Sequence, residues 1–382
     1  MTEKLYDVDS YIKEFCATVI FCTECERGYD IVLDRTAFFP EGGGQSSDKG
    51  FIDNAEIFDV QEVNGEVHHY SKTPVFVNKS VQCTINFDEK FEKMQCHTAE
   101  HIASGFFHSL YGIENVGFHL GYPIVTFDTS GEVSENMLRE VERLANEAVF
   151  KNLPITVSFP SKEELSALEY RSKLELSQDV RIVTIEGVDS CACCAPHVAS
   201  TGEVGIIKFI DCQRHRGGSR ISMLAGRRAY EYLCSVFSAA RGVGALLSAP
   251  ITEIERETER ALAARADSDY RLSLMGREAA RAFAESLSFT EGSAVVCYPM
   301  LDTDALRTFV NIASEKVGGT LVALCGEEEN YKYILYSASD DFQTIVKKAN
   351  AALMGKGGGR APMAQGSFCA SLEAIKKFFA EN

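Results

Sequence analysis

His97-Thr98-Ala99-Glu100-His101 sets two imidazoles four residues apart, inside a stretch, Phe91 to Tyr111, with helical periodicity. On a helix, side chains at that spacing lie one above the other on one face. Neutral imidazole is the commonest protein ligand for zinc, and two ligands on one rigid turn are already positioned. Further along the chain, Cys193-Cys194-Ala195-Pro196-His197 supplies a thiolate and a third imidazole. Together His97, His101, Cys193 and His197 form a set of one thiolate and three imidazoles. That set predicts one tetrahedral Zn2+ per chain. Cys191 and Cys194 are further candidates for the sulfur, but Cys193 keeps a three-residue gap to His197, so it is chosen.

Outward from this pair, residues 91–228 read as mixed α and β. Gly117 to Gly121 leads into a strand at Ile124 to Phe127. Ser134 to Asn152 reads as an amphipathic helix with Ser134 as N-cap and Met137, Leu138, Val141, Leu144 and Val149 as its apolar stripe. Ser161 to Tyr170 reads as a short helix with a capping box through Glu164. Val180 to Ile185 is a strand running into the Cys/His cluster, and Val204 to Ile210 a strand leaving it. From Lys208 to Arg228 there are six Lys/Arg against one acid, Asp211. With Arg214 and Arg220 at its centre, this reads either as a phosphate track or as a solvated basic face.

The first ninety residues read as all-β, in the size range of a small barrel. Ala17–Cys22, Tyr29–Leu33 and Ser80–Phe87 are rich in β-formers, and Asn64-Gly65 marks a hairpin. Within this region lies Asp34-Arg-Thr-Ala-Phe-Phe-Pro-Glu-Gly-Gly-Gly-Gln-Ser-Ser-Asp48. Gly42, Gly43 and Gly44 permit positive φ and close approach by a ligand or by another backbone. The stretch lacks the lysine and hydroxyl of a nucleotide P-loop. A tight barrel corner and a substrate-facing loop both remain open.

Past Arg228 the chain turns helical to about Leu287, broken at Pro250, with a polar, Ala-rich run from Thr252 to Ala284 that suggests an arm for self-association. The last ninety or so residues alternate strands (Ala294–Tyr298, Gly319–Cys325, Lys332–Tyr336) with helices (Asp302–Val317, Asp341–Leu353). They end on Gly355-Lys-Gly-Gly-Gly-Arg-Ala-Pro-Met-Ala-Gln-Gly366, where Lys356 and Arg360 beside free backbone N–H groups suit a phosphate or ribose. A flexible loop without ligand is the other reading.

The 382 residues carry a formal net charge of −17 and thirteen cysteines. So acidic a chain does not coat nucleic acid nonspecifically, though a local basic track is compatible with it. No apolar signal segment opens the sequence and no run approaches roughly 18 apolar residues. The expectation is a cytoplasmic protein with reduced thiols. Cys22 and Cys25 form a lone Cys-x-x-Cys in a strand-like stretch and read as ordinary strand cysteines.

With these pieces placed, "RTAFFPEGGGQSSDKG", "HTAEH", "CCAPHVASTGEVG" and "GKGGGRAPMAQGS" occur in the order found in the editing and C-terminal regions of alanyl-tRNA synthetases. The chain resembles their free-standing relatives, the long-form AlaX editing proteins, over nearly its whole length. There is no room before residue 30 for class II aminoacylation motifs. The resemblance implies an α+β multidomain fold: a Gly-rich β-barrel domain (1–90), a zinc editing core (91–228), a helical linker and dimerisation arm (229–287), and a C-terminal tRNA-binding domain of the DHH-associated type (288–382). It implies an aminoacyl-tRNA deacylase that hydrolyses tRNA(Ala) mischarged with serine or glycine.

Carried over by motif, the family's zinc ligands fall on His97, His101, Cys193 and His197. Its pocket threonine falls on Thr36 and its Gly-rich loop on Gly42, Gly43, Gly44 and Gln45, so Thr36 and Gln45 are expected at the reaction. Its tRNA-contacting glycine loop falls on Gly357 to Gly366, with Gly358 between Lys356 and Arg360. One departure stands out: the family's Cys-Gly-Gly-Thr-His is here Cys-Cys-Ala-Pro-His. Three rival readings stay in view: a tRNA-binding module with a structural zinc, a His-x-x-Glu-His metallopeptidase with Glu100 as base, and a different small-residue tRNA deacylase of the same superfamily, such as a threonyl-type editor acting on seryl esters.

Overall fold

The computed structural model describes residues 1–172 and 180–381. It is a multidomain α+β protein whose described residues separate into two compact units, 1–239 and 240–382. No single helix among them is long and apolar enough to cross a membrane.

In the first unit, strands Glu14–Cys25, Gly28–Leu33, Glu66–Ser71, Ala55–Val63, Gly50–Ile52 and Ser80–Ile85 pair in that order and close into a barrel. Alternation drives it: in Ser80–Ile85, Val81, Cys83 and Ile85 point inward and their neighbours outward. The interior packs Val19, Ile31, Ile52, Ile57, Val60 and Val67, all fully buried. Burying each such side chain contributes roughly 1.5–3 kcal/mol. Asn64 and Gly65 have φ of 53° and 79°, the two positive values a tight hairpin turn needs.

The polypeptide then enters a helix, Phe87–Tyr111, that starts four residues before the periodic stretch read from sequence because Asn86 caps it through the Glu89 N–H. Gly112, at φ 64°, stops it. This helix is buried along most of its length, packed with helix Glu135–Lys151 against an antiparallel sheet ordered Ile207–His215, Gly218–Ala225, Val125–Thr129, Asn115–Leu120. Two strand expectations shift. Gly117–Leu120 belongs to a strand of its own, Asn115–Leu120, and Val204 lies in a 3-10 turn, Thr201–Val204, because Gly205 at φ 79° breaks the chain there. A second antiparallel sheet, Ile155–Ser158, Ile182–Ile185 and Asp189–Ala192, delivers the cysteine segment.

Helix Gly226–Leu247 leads out of the first unit, and a 33-residue helix, Ile254–Ser286, opens the second. Its last turns, through Ala280 and Ala284, pack on helix Thr303–Ala313 and on a five-stranded sheet ordered Ala294–Cys297, Leu321–Glu327, Asn330–Tyr336, Met363–Phe368, Lys356–Arg360. The glycine-rich segment expected as a loop is therefore a β-hairpin. Glycine suits its outer strand for a steric reason: a Cβ at Gly357 would lie 2.5 Å from the Gly366 Cα and 2.6 Å from the Tyr333 hydroxyl.

Candidate metal centre and adjoining cavity

His97, His101, Cys193 and His197 come together at the meeting of the buried helix with the Asp189–Ala192 strand, their ligand atoms all within 4.8 Å of one another. The Cys193 Sγ lies 3.6 Å from His97 Nε2 and 3.4 Å from His197 Nε2. Each imidazole is tied at its other nitrogen. His97 Nδ1 donates to Gln45 Oε1 at 3.0 Å, His101 Nδ1 to the Asp189 carboxylate at 3.1 Å, and His197 Nδ1 to the Thr98 hydroxyl at 3.0 Å. These bonds fix one tautomer and leave all three Nε2 lone pairs for a shared ion, as outer partners do in metal sites. Asp189 is itself held by Arg171 through two bonds of 2.7 and 2.8 Å.

Electrostatics favours a bound cation. Burial works against ionisation of Cys193, yet the His97 and His197 imidazoles beside it hold its thiol well below the ordinary range. Burial also pushes His197 down to about 3, so that ring is neutral. For His101 burial acts in the same direction but is outweighed by Asp189 and Cys193, which raise it well above its usual value. One thiolate and three imidazoles fit zinc chemistry, and the set could hold a metal. The neighbouring sulfurs are elsewhere. Cys194 lies against Gly42 and Gly43, and Cys191 groups with His101 and Asp189.

A cavity of about 520 Å³ adjoins the cluster. One side is the barrel loop, Phe39 to Gly43. Another is the buried helix and sheet, with His97, Glu100, Asn115 and Phe118, and a third carries Arg181, Cys193 and Cys194. Glu100, one of the lining residues, accepts hydrogen bonds from Ser104 and Asn115 through Oε1. The glycine turn is docked on the core: the Leu120 N–H donates to the Gly44 carbonyl at 2.9 Å, and a Cβ on Gly44 would lie 2.6 Å from the Phe118 carbonyl oxygen. Gly44 is thus a close-approach position, while Gly42 and Gly43 line the cavity.

Other sequence-derived residues fall apart from this cavity. Thr36 is fully buried; its hydroxyl donates to His69 Nε2 at 2.8 Å and accepts from the Phe38 N–H at 3.1 Å, and it does not line the cavity. His69, fixed by its Nδ1 bond to the Ile31 carbonyl, holds that hydroxyl in place. Gln45 is likewise buried behind His97, and its Nε2 has no partner. Arg214 pairs with Glu132 at 3.0 Å, Arg220 with Asp128 directly across the strand register at 2.7 Å, Lys208 with Glu142 at 2.7 Å and Arg228 with Glu92 at 3.6 Å, so four of the six cations from Lys208 to Arg228 are paired. In the second unit, Lys356, Gly358 and Arg360 lie on the exposed outer strand of the hairpin, and neither cation makes an ion pair among the described residues. Sequence reading missed Asp189, Thr98 and Arg171. Asp189 lies four residues before Cys193, a spacing that carried no signal until a strand brought it to His101.

Comparison with known proteins agrees with this layout. Residues 7–90 match the family described as tRNA synthetases class II (A), residues 180–224 the Threonyl and Alanyl tRNA synthetase second additional domain, and residues 291–381 the DHHA1 domain. The chain is 27% identical to Alanyl-tRNA editing protein Aarsd1 of Mus musculus, covering 94% of this chain and 92% of that protein. It is 27% identical to Alanyl-tRNA editing protein AlaX-L of Pyrococcus horikoshii, covering 98% and 96%. It is 30% identical to the Alanine--tRNA ligase of Methanopyrus kandleri, but spans only 42% of that enzyme. The cluster thus belongs to a chain that is, over nearly its whole length, a homologue of the alanyl-tRNA editing proteins.

Proposed function

We propose that this protein is an aminoacyl-tRNA deacylase that hydrolyses tRNA(Ala) mischarged with serine or glycine, at a site holding one zinc ion. The observation that carries the reading is the convergence of three Nε2 atoms on the Cys193 sulfur, each ring locked by an outer partner, at the edge of a cavity. An aminoacyl ester is already activated, so the protein needs to place a water, exclude others and stabilise the oxyanion. Zinc held by His97, His101, Cys193 and His197 would supply Lewis acidity toward the ester carbonyl. Phe39, Gly42 and Gly43 form the wall against which the small side chain rests, and glycine backbone there keeps the space narrow. Glu100, on the cavity lining, is the acceptor for the water's proton.

In this reading Gln45 acts through His97, and Thr36 acts through the Phe38–Phe39 wall that its hydroxyl fixes. Residues 1–228 do the chemistry, 229–287 pair two chains as a homodimer, and 288–382 grip tRNA through Lys356, Gly358 and Arg360. Arg214 and Arg220 assist only by exchanging their carboxylate partners for phosphate. The work is done in the cytoplasm, where tRNA is charged. Incubating the protein with Ser-, Gly- and Ala-tRNA(Ala) tests this: the first two esters should be lost and the third spared.

One observation favours a second reading. Four protein donors is the number found in structural zinc sites, so a tRNA-binding protein with a structural metal is the alternative, distinguished by tRNA binding without ester loss. The metallopeptidase reading loses ground because Cys193 and His197 share the cluster with the helix histidines.

A further inference from the structure

One wall of the cavity comes from the first turn of the chain and carries polar atoms without a partner among the described residues. Tyr6 is 3% exposed, packs edge-on against Phe39 with ring centroids 5.5 Å apart, and lines the cavity. Its hydroxyl is buried without a hydrogen-bond partner. Folding gains nothing from such a group, since an unpaired buried hydroxyl has lost water without replacing it. Asp7 lines the same wall and forms no hydrogen bond or ion pair among the described residues. Burial raises its carboxyl, with the Arg181 and Lys4 charges opposing.

Of the cations on this wall, Lys4 pairs with Glu62 at 2.7 Å, and Arg181 Nη1 donates to the Cys193 and Ala195 carbonyls at 2.9 and 2.8 Å while its Nε has no partner among the described residues. The Asp7 carboxylate and the Tyr6 hydroxyl next to it in sequence are thus left without protein partners among the described residues, on two residues that line one cavity. A carboxylate and a phenol oxygen together can accept from a small cation with several N–H donors. Cys193 and Cys194 line the same cavity as Tyr6 and Asp7, so the pair and the ligand cluster share one space.

We propose that Tyr6 and Asp7 bind the α-ammonium group of the esterified amino acid. The proposal rests on the deacylase reading, and in an aminoacyl ester this ammonium is carried on the carbon next to the reacting carbonyl. Asp7 supplies the opposite charge and Tyr6 Oη a second acceptor, so the ester is oriented by its backbone end and not by its side chain.

The test compares Ser-tRNA(Ala) with N-acetyl-Ser-tRNA(Ala), using the full chain with its metal. Wild type should hydrolyse the free-amine ester at least tenfold faster in kcat/KM. Asp7→Asn, which keeps the shape and removes the charge, should narrow that preference to within about threefold. Tyr6→Phe keeps the ring packing on Phe39, so it should leave Tm unchanged or raised while kcat/KM for the free-amine ester falls about fivefold. An Asp7→Asn protein that retains the full preference overturns the proposal, as does a Tyr6→Phe protein with wild-type activity. If wild type hydrolyses neither ester, the deacylase reading itself falls and the subsite with it.

Discussion

Each imidazole of the cluster owes its orientation to one atom on its far side, which makes the site's residues separable by experiment. Cys193→Ala and His101→Ala remove a ligand, so metal content should fall from about one per chain to well below half, measured by elemental analysis after gel filtration. Cys194→Ala, whose sulfur faces Gly43, should keep its metal; the reverse pattern would reassign the sulfur. Thr36→Val strands both the His69 ring and the Phe38 N–H, so a loss of about 1–3 kcal/mol is expected in denaturant unfolding. Seryl and glycyl hydrolysis should then fall together, and an effect confined to the seryl ester would place the hydroxyl in the pocket after all. His69 itself gives a pH signature. Burial lowers it from 6.5 to about 4, so between those values the unfolded chain binds the proton and the native one does not. Stability should therefore be full above about 6.5 and decline as pH falls toward about 4, by up to a few kcal/mol. His69→Gln should flatten the wild-type slope in that window, and an unchanged slope would remove His69 as its source.

At the scale of elements, what repeats was legible and what closes in space was not. Alternation in Ser80–Ile85 and the Asn64-Gly65 turn announce β-structure, and the four-residue histidine spacing announces one helix face. The two glycine runs look alike in sequence yet serve differently. Gly44 is pinned at φ 82° against Phe118, whereas Gly357 to Gly359 extend as an edge strand, because only the partner strand Met363–Phe368 decides between loop and ladder. The partners of Thr36 and the arginines were not legible for the same reason: a residue type gives capacity to bond, but its partner is set by tertiary neighbours such as His69 and Asp128. Gly44→Ala adds a Cβ at positive φ and against a carbonyl, and should cost roughly 2 kcal/mol or more while shifting the loop beside His97. A Gly358→Ala change, with open space around its Cβ, should leave thermal stability nearly unchanged.

For the whole molecule, the first compact unit contains the barrel, the cluster and both of the cores that support them. A chain ending at Ala239 should fold, bind metal and retain ester hydrolysis, with KM for tRNA raised about tenfold through loss of the DHHA1 unit. The account stands on chemistry at the cluster, and the most direct measurement is the rate of ester loss from Ser-tRNA(Ala) and Ala-tRNA(Ala) by metal-loaded wild type, by chelator-stripped protein and by Cys193→Ala. Rapid loss of serine alone, abolished in the stripped and substituted proteins and restored to the former by zinc, is the predicted result. Binding of tRNA with no ester loss, or hydrolysis that survives Cys193→Ala and metal removal, would contradict it.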